Sequence, residues 1–165
     1  MTLEQELGLL LEDARLDRKQ ARAVALRLGW NGEAPRTLAS AGEVVGYTRE
    51  RVRQLEERLL DHARAADVRP QTTERAVRLL EKEAPIATGE AAARLASAGL
   101  SESPFDVAGL LSAARILGVE HTLEEQSGVL VKTGDAHLRV MTESLVRAGR
   151  SEPEIVEALE SAARS

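Results

Sequence analysis

A chain of 165 residues, 43% of them hydrophobic, can bury one good core or two small ones, while its three aromatic residues, Trp30, Tyr47 and Phe105, are too few and too scattered to hold flipped bases during strand opening. The absence of cysteine excludes disulfides and thiolate metal sites and fits a reducing cytoplasm. The net charge of −5 is unevenly spread: residues 1–14 carry four acidic and no basic side chains (−4), residues 15–64 eleven basic and seven acidic (+4), and residues 65–165 eleven basic and sixteen acidic (−5).

The N-terminal stretch MTLEQELGLLLEDARLD has acids where a secretory signal would have basic residues, and no apolar run approaches the eighteen residues of a membrane span. Leu3 to Leu16 reads as an amphipathic helix with Leu3, Leu7, Leu10, Leu11 and Ala14 on one face. Packing against the helices that follow is expected; an alternative is that its acids shield a basic face until a partner displaces them. A second helical segment runs through Leu16 to Trp30, LDRKQARAVALRLGW.

Thr37 to Arg58, TLASAGEVVGYTRERVRQLEER, is the most informative stretch. Ala41, Val45, Val52 and Leu55 fall where two short helices must bury apolar atoms against each other, and Gly46 between them accepts a left-handed turn. A mid-helix glycine costs about 1 kcal/mol against alanine, so Gly42 is expected where the second helix passes too close to tolerate a larger side chain. Thr37 and Thr48 stand where hydroxyls cap the two helices. In the second helix Val52, Leu55 and Leu59 share one side, leaving Glu50, Arg53 and Gln54 on the other, flanked by Arg49, Arg51 and Arg58. Arginine and glutamine pair with guanine and adenine edges, glutamate accepts from cytosine, and further arginines neutralise phosphates.

The long helix from Thr48 is expected to end at Val68-Arg69-Pro70-Gln71, because proline disfavours helical geometry in the residue before it. Beyond it, Thr73 to Ala84, Thr88 to Ala98 and Pro104 to Leu117 read as helices, and His121 to Glu124 with Val129 to Lys132 as strands around Gln126-Ser127-Gly128. Three helices and a hairpin follow the order of a winged helix. Its third helix, FDVAGLLSAARIL, offers only Arg115 against Asp106, so a structural or protein-binding module is expected rather than a second reader. Two more helices, with stripes Leu138, Met141, Leu145 and Ile155, Val156, Leu159, are too short to hold a core alone.

The segments GEAPRTLASAGEVVGYTRERVRQLEERLL and LDRKQARAVALRLGW resemble region 4 of the sigma-70 family, the promoter-distal helix-turn-helix domain of bacterial primary sigma factors. The resemblance covers about fifty residues. It implies contacts to the upstream promoter element from Arg49, Glu50, Arg51, Arg53 and Gln54, with Thr48 and Arg36 at the backbone, and Arg58 adds a further phosphate candidate. The sequence departs from the family pattern at Leu28 and Trp30 and at Ala39 to Ala41, which is poorer in acidic residues, changes expected to alter packing more than DNA contact.

The expected architecture is mainly α: a sigma region 4-like helix-turn-helix domain over residues 1–69, a winged-helix-like three-helix domain with a short β-hairpin over 70–134, and a C-terminal helical pair over 135–165. The expected function is a sequence-specific, cytoplasmic DNA-binding transcription regulator whose partner is double-stranded DNA. The alternative is a sigma-like adaptor that binds RNA polymerase or another regulator. Single-copy and dimeric binding both fit. His62, His121 and His137 have no ligand spacing, the acid pairs Glu56-Glu57 and Glu124-Glu125 do not converge, and no catalytic or phosphate-cradling motif occurs, so no enzyme, metal or cofactor is expected.

Overall fold

The computed structural model describes residues 1–67, 69–133 and 136–163, except for the side chains of 136–140 and 163; the expectations at Val68, His137 and Leu138, and the boundary at 134/135, lie outside these residues. The described elements are α1 (Leu3–Asp13), α2 (Arg18–Leu28), α3 (Leu38–Val45), α4 (Arg49–Ala65), α5 (Gln71–Glu83), β1 (Ile86–Ala87), α6 (Thr88–Ser97), α7 (Val107–Leu117), β2 (Leu123–Gln126), β3 (Val129–Lys132), α8 (Ala136–Arg147) and α9 (Glu152–Ala163). The protein is mainly helical, with one small antiparallel sheet in the order β1-β3-β2.

Helix starts follow from local chemistry. In α1 the Thr2 hydroxyl accepts from Gln5 N at 3.3 Å and the Gln5 side chain answers Thr2 N at 2.9 Å; in α2 Asp17 and Gln20 make the same exchange at 2.8 and 3.1 Å. The leucine face of α1 is buried as its spacing requires, but its closest helical neighbour is α5 rather than the helix-turn-helix. Glu6 explains this preference. Its carboxylate accepts from Thr72 N (2.9 Å), Thr73 N (2.9 Å) and Thr73 Oγ1 (2.7 Å), capping a helix whose own N-cap, Pro70, supplies no side-chain bond. Glu4 likewise faces the backbone amide of Glu102, at 3.1 Å. These two acids hold the fold together and do not shield a basic face.

One hydrophobic cluster runs from Leu3 and Leu7 of α1 through Val24, Trp30, Leu55 and Leu59 to Leu80, Leu95, Phe105, Leu110 and Leu130. Each such leucine contributes about 1.5–3 kcal/mol on burial, so this cluster dominates the stability. Within it α7 packs against α5, α4 and α2. Gly109 of α7 lies so near the Gly29 carbonyl that a Cβ would collide with it, and Ser112 Oγ accepts from Trp30 Nε1 at 3.1 Å while donating to the Leu28 carbonyl at 2.7 Å. Leu28 and Trp30, two of the positions that depart from the family pattern, are thus where the third helix of the C-terminal half seats.

Several boundaries differ from expectation. Helix α4 stops at Ala65, ahead of the Pro70 signal, because Ala66 turns extended; α5 then starts two residues earlier than expected, at Gln71, where Glu6 caps it. Pro104 precedes α7 without starting it: Asp106 is the N-cap, accepting from Ala108 N at 2.9 Å. Strand β2 is shifted to Leu123–Gln126, since Ser127 (φ 49°) and Gly128 (φ 84°) form a two-residue left-handed turn that places Gln126 opposite Val129. A short strand missed in sequence, β1, pairs Ile86 with Leu130. The C-terminal helices use the sheet as their floor: Ile155, Val156 and Leu159 pack with Val129 and Val131, and Met141 and Leu145 lie beside them.

Candidate nucleic-acid interface

Helices α2, α3 and α4 form a compact unit around Ala23, Leu26, Ala41, Val45 and Val52. The turn is built as its residues require. Gly46 adopts φ 82°, its amide and that of Tyr47 both donate to the Gly42 carbonyl (2.8 and 2.9 Å), and a Cβ on Gly42 would collide with the Tyr47 carbonyl. The close approach comes from the turn backbone, rather than from the body of the second helix. Thr37 Oγ1 accepts from Ser40 N and Thr48 Oγ1 from Arg51 N, each at 3.1 Å. Lys19 stands 4.6 Å above the Tyr47 ring, tying α2 to the turn by a cation–π contact that periodicity did not reveal.

This frame buries Val52, Leu55 and Leu59 and leaves Thr48, Arg49, Glu50, Arg53, Gln54 and Arg58 exposed at the start of α4, with Arg51 half-buried on the flank. Arg36 is exposed beside α3; its guanidinium reaches Ser40 Oγ at 3.3 Å and its carbonyl accepts from Arg27 at 2.9 Å. Arg58 donates to the carbonyl of Arg15 at 3.2 Å, so its guanidinium is partly engaged by the backbone between α1 and α2.

The outward side chains are linked to one another, which the sequence reading did not anticipate. Arg53 donates to Glu50 through Nε (3.0 Å) and Nη2 (2.7 Å), and to Glu57 through Nη1 (3.1 Å). The Arg53 hydrogen bond, and its charge together with Gln54 and Arg49, hold the Glu50 carboxyl below the usual carboxylate range. Glu50 in turn, with Glu57 behind it, raises Arg53 further above its already high value. Adjacent Glu56 and Glu57 diverge as helical geometry dictates: Glu56 turns toward Arg27 of α2, 3.5 Å away, and Glu57 lies on the outward stripe.

His62 is half-buried, and His121 accepts from Leu123 N at 3.0 Å, which makes it a turn cap. Among the described residues no group of three or more metal-ligating side chains comes together, and no helix is long and apolar enough to cross a membrane.

A short helix, a tight glycine turn and a longer helix with arginines and a carboxamide at its exposed start define a helix-turn-helix unit of the DNA-binding kind. Residues 14–65 match the family model for sigma-70, region 4, and this segment is a region 4-type helix-turn-helix, a DNA-binding, transcription-related domain. No curated protein matches the chain.

Proposed function

We propose that this protein is a cytoplasmic, sequence-specific regulator of transcription that lays the start of α4 in the major groove of promoter DNA. The reading is carried by one observation: Glu50, Arg53 and Gln54 are exposed together on the face of α4 opposite its buried stripe, with exposed Arg49 and Arg58 flanking them. Gln54 and Arg53 meet base edges, Glu50 holds Arg53 in plane and accepts from an exposed amino group, and Arg36, Arg49, Arg51 and Arg58 lie along phosphates, with Thr48 fixing the helix start.

Residues 71–132 have the helix-strand-helix-helix-hairpin order of a winged helix. In this reading they act as a brace, because α7, which would enter the groove in a reading module, is packed on α2 and α4. No catalytic role is assigned to any residue.

Selection of duplexes from a random library, followed by binding of point variants, tests the proposal. Arg53→Ala and Gln54→Ala should each cost about 1–3 kcal/mol at one base position, whereas Arg58→Ala should weaken all duplexes about equally. Equal losses on selected and random duplex from all three would refute direct readout. Polymerase subunits recovered after nuclease treatment, with no duplex shifted at low salt, would instead identify an adaptor.

A further inference from the structure

Glu50, Arg53 and Glu57 form one stripe along α4, at helical spacings of three and four residues. Arginine has five N–H donors in a fixed plane. Glu50 takes the Nε and Nη2 edge of Arg53 through a fork, at 3.0 and 2.7 Å, which sets the plane of the guanidinium. The end left to meet two acceptors of a guanine edge, or of a phosphate, is the Nη1–Nη2 end, and Glu57 holds Nη1 at 3.1 Å. The Glu57 side chain is 60% exposed, so water or an incoming ligand can reach the pair and exchange its partners.

We propose that Glu57 is an intramolecular competitor for Arg53: a carboxylate that duplex DNA must displace before the guanidinium can meet a base or a phosphate, and hence a residue that sets the affinity of the recognition helix. The proposal rests on the reading of α4 as the DNA-binding helix. Glu50 and Glu57 then have opposite effects on the same side chain. The fork from Glu50 survives binding and orients Arg53; the single bond from Glu57 is exchanged.

The test is a double-mutant cycle on a selected duplex at low salt, read by fluorescence anisotropy, with wild type, Glu57→Gln, Arg53→Ala and the double variant. Glu57→Gln should bind about two- to five-fold tighter, the strength of an exposed ion pair, and Glu57→Ala, which retains no acceptor, should bind at least as tightly. In the Arg53→Ala background the Glu57→Gln change should give no gain, because nothing remains to be competed for. An equal gain in both backgrounds would mean that Glu57 acts on phosphates through space and would overturn the proposal, as would no gain in the presence of Arg53. If wild type and all variants bind no duplex, the DNA-binding reading itself fails and the proposal with it.

Discussion

Replacing Glu6 by alanine removes a cap that joins the first helix of the chain to the fifth. Three bonds of 2.7 to 2.9 Å disappear at once. Loss of a helix cap costs about 1 kcal/mol. In addition Thr73, which is fully buried, keeps a hydroxyl with no carboxylate to receive its proton, a penalty of about 1–3 kcal/mol. The sum is about 2–4 kcal/mol, which for a domain of this size lowers Tm by roughly 6–12 °C. Glu6→Gln retains one acceptor and should fall between wild type and Glu6→Ala. Urea unfolding followed by circular dichroism measures the differences, and duplex affinity under native conditions should stay close to that of wild type, since Glu6 faces α5. A loss under about 0.5 kcal/mol for Glu6→Ala, the scale of an ordinary surface substitution, would refute the assignment of Glu6 as the cap.

Gly42→Ala should lower stability by about 1–3 kcal/mol from crowding of the Tyr47 carbonyl, offset in part by about 1 kcal/mol of helix preference, and should weaken duplex binding in parallel; urea unfolding and anisotropy measure both. Ser112→Ala leaves the buried Trp30 indole without its acceptor and should cost about 1–3 kcal/mol in urea unfolding, with a shift in the fluorescence of this one tryptophan as the native-state signature. Partial desolvation on the exposed side of β2, with Asp106 nearby, raises the Glu125 carboxyl above the ordinary carboxylate range, so the folded state binds that proton more tightly than the unfolded chain. Its contribution is present below the unfolded value and is lost as pH rises through the folded one, so Glu125→Gln should raise Tm at neutral pH and give no gain in acid. A thermal melt at the two pH values checks the sign.

Periodicity and breakers located the helices well because each carries its own stripe and its own stop: Gly29, Gly46 and Gly118 all sit in left-handed geometry at helix ends. The helix-turn-helix was legible for the same reason, since its caps, turn and buried stripe lie within about twenty consecutive residues. What sequence could not supply were long-range pairings. A Glu6 that caps Thr72 is separated from it by 66 residues, and β1 is two residues long, too short for any alternation to register. The exposure of Arg53 and Gln54 on α4 was readable, but the partnership of Arg53 with Glu57 was not, because an exposed acid at four-residue spacing reads first as solvation. The motif for an internal pair was present in RQLEE, but only coordinates show which of the two adjacent acids turns outward.

The same contrast between local and long-range signals separates α4 from α7. A reading helix needs exposed polar side chains over its first turns and a frame that buries the opposite side; α4 has both. Helix α7 buries Val107, Gly109, Leu110, Ala113, Ala114 and Ile116, and its Gly109 and Ser112 are fitted to the backbone at the end of α2. Freeing α7 for a groove would expose that apolar surface, at about 25 cal/mol for each square ångström, and orphan the Trp30 indole. The composition of α7, with Arg115 its one charged residue, is therefore what close packing on a neighbouring helix demands, whereas residues 15–28 carry five basic side chains against one acidic, so the basic excess of residues 15–64 lies on α2 and the residues before it.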